Sequence, residues 1–143
     1  MGGTFSVDLS RLVRKAEVDM NQVVRKVILD LSRAVVLRTP VDTGRARASW
    51  VAGIHSVPAD SPEDKDPTGG RAIARMASLV QGLEAGTVVY IVSNLSYMPI
   101  LEYGREDGRP GSAQAPQGMV RVTLQEFQDH VDRAAREVRG GRR

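Results

Sequence analysis

Between Asp8 and Arg38 the apolar residues return in steps of three and four: Leu9, Leu12/Val13, Ala16, Met20, Val23/Val24, Val27, Leu31 and Ala34/Val35. Such spacing gathers into one stripe on a helix and scatters on a strand, so the span predicts a single long amphipathic helix. Ser6 or Asp8 can cap its start, since each offers a side-chain oxygen to unpaired backbone N–H groups. Thr39-Pro40 ends it, because proline disfavours helical geometry in the residue before it. At 1.5 Å per residue this helix is roughly 45 Å long. That is long for a chain of 143 residues. Either the rest of the fold wraps around it, or one end runs past its own core onto a neighbouring subunit. The sequence leaves both open.

A chain of this length makes one domain with a modest core. Apolar residues are 41% of it and aromatics only 4%, so the core must be mostly aliphatic. There is no cysteine, which excludes disulfides and thiolate metal sites. His55 and His130 are far apart in sequence, and no metal-ligand spacing is visible, so no cofactor or metal is expected. No apolar run approaches the ~20 residues that span a bilayer. The start, MGGTFSVDLSRL, lacks a signal-peptide layout, and Gly2 with Ser6 fits a myristoylation pattern only weakly. The net charge is +3 and most of the positive charge is arginine, suited to phosphate or carboxylate pairing. That balance is compatible with work near DNA and does not establish DNA binding.

Val41-Asp42-Thr43-Gly44-Arg45 contains the aspartic-protease triplet, but without the apolar strand before it and the small residue after it. We expect Asp42 to cap a short helical turn through Ala48. Trp50–Val57 reads as a strand with Gly53 as a weak point or bulge, and His55 as a surface residue. Residues 58–70 form an acidic, Pro- and Gly-bearing flexible loop. Its Asp60, Glu63, Asp64 and Asp66 lack calcium-loop spacing. Arg71–Leu83 is a helix capped by Thr68. Val88–Val92 is a β-branched strand ended by Asn94. The stretch Val88–Arg121 holds all three tyrosines and is the expected packing centre. Within it, Tyr97, Leu101 and Tyr103 should anchor the apolar turn Tyr97–Gly104, and Tyr103→Ala should cost ~3–5 kcal/mol if the ring is buried. After the loop Arg105–Gly111, a final helix opens at Pro116 or Gln117. Its stripe is Val120, Leu124, Phe127, Val131, Ala134 and Val138, and it stops at Gly140-Gly141.

The expected fold is therefore α+β, with a long N-terminal helix, a small mostly antiparallel sheet, a middle helix, a long C-terminal helix and one flexible acidic loop. Residues 1–138 form one domain, and 139–143 a basic tail.

No catalytic set is visible. Gly69-Gly70 precedes a helix without the P-loop lysine and hydroxyl, and there is no Gly-x-Ser-x-Gly elbow. Glu102, between Leu101 and Tyr103, is either a perturbed acid or a carboxylate accepting hydrogen bonds from Tyr, Arg or backbone donors. The expectation is a non-enzyme; a hydrolase using Glu102 with Asp42 or a neighbouring carboxylate is the outlying reading.

Three segments carry a family likeness: Arg38–Arg45 with Ser49-Trp50; Tyr90–Asn94 with Tyr97 and Leu101-Glu102-Tyr103-Gly104; and Gln114-Ala115-Pro116-Gln117-Gly118-Met119-Val120. In this order and at this length they resemble the small neck and tail-completion proteins of long-tailed double-stranded DNA phages, also labelled minor tail or head–tail joining proteins. The resemblance implies a structural virion protein without an active site. It implies a hexameric ring between the capsid's portal complex and the tail tube, touching a tail terminator or tail-tube protein and a head-closure or portal-side connector protein. Genomic DNA would pass through the centre with transient, non-specific contact. The residues expected to serve packing and assembly are Asp42, Gly44, Arg45, Trp50, Tyr97, Leu101, Glu102, Tyr103, Gly104, Gln114, Ala115 and Pro116. Arg133, Arg136, Arg139, Arg142 and Arg143 either face a DNA channel or solvate the outer surface. Those arginines also motivate the alternative, a sequence-independent DNA-binding protein.

Overall fold

The structure is a computed structural model; it describes residues 2–140, with side chains described from residue 19 onward. Arg142 and Arg143, and the side chains of stripe residues Leu9, Leu12, Val13 and Ala16, lie outside the described residues.

Helix α1 (Gly2–Arg38) is followed by a single turn, α2 (Arg45–Ala48), and strand β1 (Trp50–Ile54). Helix α3 (Gly70–Val80), strand β2 (Val89–Ser93) and the short helix α4 (Met98–Tyr103) come next. Helices α5 (Val120–Gln125) and α6 (Phe127–Gly140) end the described chain. The fold is α+β, as expected, with a sheet of two antiparallel strands. Their register runs without interruption from Trp50↔Ser93 to Ile54↔Val89, so Gly53, opposite Tyr90, makes no bulge. The first strand stops at Ile54 rather than Val57; His55 turns the chain out with φ 66° and is exposed.

Helix α1 begins at Gly2, so Ser6 and Asp8 lie inside it rather than capping it. At 1.5 Å per residue it is roughly 55 Å long. Two helices flank its C-terminal half. Helix α6 runs antiparallel to it, from Glu126 against Arg38 to Glu137 against Lys26. Past α3, Leu83 O accepts from Arg25 Nε at 2.6 Å, and Ala85 N donates to Asn21 Oδ1 at 2.7 Å. Both flanks thus end near Asn21, and the helix continues for roughly 28 Å to Gly2.

The main core joins Val35 and Val36 of α1 to Trp50, Met76, Met98 and Met119. A smaller cluster joins Val27 and Leu31 to Ala134, with Val23 and Val131 against it. The aliphatic and methionine-rich composition of both follows from the scarcity of aromatics.

The C-terminal helix departs from its expected stripe. It breaks at Glu126, and Leu124 and Phe127 are 58% and 44% exposed, whereas Thr123 and His130 are buried. Arg38 ties this edge to α1: its Nη1 donates to Thr123 Oγ1 at 2.9 Å and its Nη2 meets Glu126 Oε2 at 2.6 Å, with Thr123 buried and the Glu126 side chain still 43% exposed. Thr123 Oγ1 also donates back to Met119 O, a bond of the kind that bends helices. Helix α6 then runs to Gly140 and takes Arg139 into its last turn.

The acidic loop carries no helix or strand but is tied at both ends. Asn94 Nδ2 donates to Pro58 O and Asp60 O, and the buried Asp66 carboxylate accepts from Arg71 N and Ala72 N. Asp66 is thus the main side-chain cap of α3, with Thr68 Oγ1 accepting only from Gly70 N.

Candidate functional site

The three segments that carry the family likeness meet at one end of the molecule, where α1 stops. The stop is a hydrogen-bonded knot. Thr39 is fully buried, and its hydroxyl donates to Val35 O at 2.7 Å and accepts from Trp50 Nε1 at 2.8 Å. Arg47 closes the helix end, donating to Leu37 O, Thr39 O and Pro67 O at 2.8–2.9 Å. The Leu37 and Thr39 carbonyls, at the end of α1, carry the partial negative charge of a helix C-terminus, which a guanidinium suits, and Pro67 O belongs to the loop before α3.

The next piece is a close crossing of two loops. Gly44 has φ 93° and caps α2; a Cβ there would lie 2.4 Å from Pro67 N. Gly44 O accepts from Asp66 N at 3.0 Å, so the Asp-Thr-Gly turn and the acidic loop are joined by backbone. Only glycine meets both the backbone angle and the spacing. Asp42 does not cap α2 as expected. It is exposed and forms no hydrogen bond or ion pair among the described residues, while Thr43 Oγ1 accepts from Arg45 N. The Arg45 side chain is exposed, and the neighbouring Arg47 does the binding instead.

Gln114 then docks the third segment on the first. Its amide donates to Val41 O at 3.0 Å and accepts from Val41 N at 2.8 Å, imitating a strand pairing. Ala115 behind it is buried and Pro116 exposed. Between these pieces lies a groove of about 550 Å³, floored by Pro40–Ala46 and walled by Tyr97, Leu101, Ser112 and Gln114. Lys65 and Arg45 stand at its edge.

Glu102 joins the second segment to the third. It is 7% exposed, and its Oε2 accepts from Met119 N at 2.7 Å and Val120 N at 3.0 Å. Its Oε1 accepts from Arg121 N at 2.9 Å and Arg121 Nε at 3.2 Å. Arg121 also donates to Glu102 O. This carboxylate caps α5 from a distant part of the chain, meeting the helix's positive end with a negative charge. Burial pushes its pKa up, but the N–H groups of Met119, Arg121 and Val120 and the Arg121 side chain outweigh it and hold the carboxyl below its ordinary value. Both oxygens are taken by donors, which suits a structural anion better than a proton shuttle. Gly118, at φ 86°, is what lets the helix end approach: a Cβ there would lie 2.6 Å from Glu102 O.

Tyr103 does not anchor the turn. It is 73% exposed, with the Arg121 guanidinium over its ring at 5.1 Å. Tyr97 is 40% exposed on the groove wall, and Leu101 and Gly104 are half-buried. The inward side of α4 is Met98 and Glu102, four residues apart. Arg133, Arg136 and Arg139 lie exposed on α6, remote from this knot in sequence and interleaved with Asp129, Asp132 and Glu137. Arg47, Thr39 and Asp66 were not foreseen as binding residues. Arg47 sits two residues from the expected Arg45, and only the carbonyls facing it reveal its part.

Among the described residues, no cluster of three or more His, Asp or Glu side chains could hold a metal ion. No described helix is long and apolar enough to cross a membrane. Compared with protein-family models, curated proteins and solved structures, the chain matches none.

Proposed function

We propose that this chain is a structural virion protein that forms a hexameric ring at the head–tail junction of a long-tailed phage. It joins the tail tube, or its terminator, to the connector on the capsid side and surrounds part of the DNA path. It acts without catalysis, cofactor or membrane. The observation that carries the reading is the meeting of the three likeness-bearing segments. They lie far apart in sequence, yet Gln114–Val41 ties the third to the first and Glu102–Met119 ties the second to the third.

Two further features support it. Helix α1 is roughly 55 Å long, and its described packing partners lie along its C-terminal half, a length that suits a subunit reaching a neighbour in an assembly. Leu124, Phe127 and Leu37 are also exposed, so burial against a neighbour would add stability. Deleting the gene from its phage tests the reading: lysates should then hold DNA-filled heads and finished tails that are not joined. Intact, infectious virions without this chain would overturn it.

The second reading, sequence-independent DNA binding, draws on the exposed Arg133 and Arg136 of α6. It requires duplex affinity that falls steeply as salt rises. The intervening Asp129, Asp132 and Glu137 weigh against it and suit a path that DNA crosses without sticking.

A further inference from the structure

We propose that the free edge of β2 pairs with β2 of a second copy of this chain, antiparallel and about a two-fold axis at Ile91. A two-fold pair closes at two copies, so this contact is separate from the head-to-tail contacts of a ring, and each reading can fail without the other.

The sheet has two strands, so each strand is paired on one side only. The register decides which backbone groups of β2 point away from β1. His55 N donates to Val88 O at 2.9 Å, and the ladder runs in step from Ile54↔Val89 to Trp50↔Ser93. In an antiparallel pair, hydrogen-bonded and non-hydrogen-bonded residue pairs alternate. Counting from His55 and Val88, the hydrogen-bonded pairs are Gly53–Tyr90 and Val51–Val92. Tyr90 and Val92 therefore turn their N–H and C=O groups toward β1, and Val89, Ile91 and Ser93 turn theirs outward. Among the described residues, no hydrogen bond reaches these outward backbone groups. Every residue of β2 is partly exposed, whereas Trp50 and Val51 of β1 are buried and Arg75 of α3 reaches Ala48 O just before them. The accessible edge is that of β2.

The chemistry of the edge selects its occupant. Outward N–H and C=O groups at strand spacing are matched by another extended backbone. An edge meant to stay single is commonly guarded by a charge, a proline or a bulge. From Thr87 to Asn94 there is no charged residue, no proline and no glycine, and the register has no bulge. Nothing in the strand repels a copy of itself. The outward residues are also symmetric about Ile91. A second β2 lying antiparallel sets Ile91 against Ile91 and Val89 against Ser93, which bonds every outward N–H and C=O of both strands. Tyr90 then faces Val92 of the partner copy on either side of the axis, and an aromatic opposite a β-branched residue is a stabilising cross-strand pair.

The absence of cysteine allows a spin label at one site. Val88 is 54% exposed, and the full chain carrying Val88→Cys takes a nitroxide there. Pairing about Ile91 sets Val88 opposite Asn94 of the partner copy, so the two labelled residues lie six positions apart along the strands, roughly 20 Å. Pulsed electron–electron resonance should show that one distance. Residue-resolved amide exchange gives a second readout. The Ile91 and Ser93 amides should exchange as slowly as those of Tyr90 and Val92, although no bond within the chain holds them. Val89→Pro removes an outward N–H at the first residue of the strand, a position where an edge strand accepts proline. It should melt close to the parent, sediment as a monomer and lose both the distance and the protection. A parent that stays monomeric up to millimolar concentration overturns the contact. So does an oligomer of any size that lacks the distance and exchanges Ile91 and Ser93 quickly; if it is six-fold, the ring reading stands. If Val89→Pro does not fold, the label distance and the amide exchange of the parent sequence decide.

Discussion

Replacing Glu102 by Gln keeps the shape of the cap and removes its charge. In the parent, two oxygens receive four donors: Met119 N and Val120 N on one, Arg121 N and Arg121 Nε on the other. A glutamine presents one oxygen and one NH2 group, so whichever way it turns, two donors face a donor. Hydrogen bonds to a charged group contribute about 1.5–3 kcal/mol each. Two lost bonds give about 3–6 kcal/mol, and the half-exposed Arg121 side chain reduces that through solvent screening to about 2–4 kcal/mol. At about 3 °C per kcal/mol for a domain of this size, the melting temperature should fall by about 6–12 °C. Chemical denaturation should show a lower midpoint with an unchanged slope. The pH dependence gives a second readout. A carboxyl whose folded pKa is depressed contributes stability that is present above its unfolded pKa, about 4.3, and lost as pH falls through the folded value. Glu102→Gln should therefore lose most stability at neutral pH and have a shallower acid limb, converging on the parent at low pH. A variant that melts within about 1 °C of the parent at pH 7 refutes the claim that this carboxylate ties the α4 segment to α5.

Tyr103→Ala should cost under about 1 kcal/mol, since the exposed ring offers chiefly its face to Arg121, and a calorimetric shift above about 5 °C would show it buried. Gly44→Ala should destabilise by about 3 kcal/mol or more, from left-handed strain and the clash with Pro67, and a urea midpoint matching the parent would contradict it. Trp50→Phe should cost about 1–3 kcal/mol by leaving the buried Thr39 hydroxyl short of its donor; melting is the check, and Trp50→Phe combined with Thr39→Val should recover part of the loss.

The helices and strands were legible wherever local rules decide. The stripe to Val35 and the Thr39-Pro40 stop mark α1, and the β-branched run marks β2. What escaped was set by contacts across the chain. Periodicity assumes that a helix buries its apolar stripe, and at the α5–α6 joint Thr123, bound by Arg38 from more than 80 residues before it, is buried while Leu124 and Phe127 are exposed. His130 is buried there with neither ring nitrogen hydrogen-bonded, a polar group no stripe analysis would place inside. At the candidate site the three segments touch one another, but the side chains that make the contacts often differ from those expected. Tyr103 was expected inside because it is large and aromatic, but α4 is short, and its Met98–Glu102 spacing puts the carboxylate in and the tyrosine out. Arg45 and Arg47 are equivalent by eye, and only the carbonyls at the end of α1 choose between them. Gln114 and Gly44 make packing contacts through backbone geometry, Gln114 on the Val41 peptide and Gly44 at the start of α2.

The most direct test of the proposed ring is cryo-electron microscopy of virions of a phage whose genome encodes this chain. Six-fold density at the head–tail junction into which this chain can be built is the expected result. Purified virions whose junction is fully explained by other chains would contradict it.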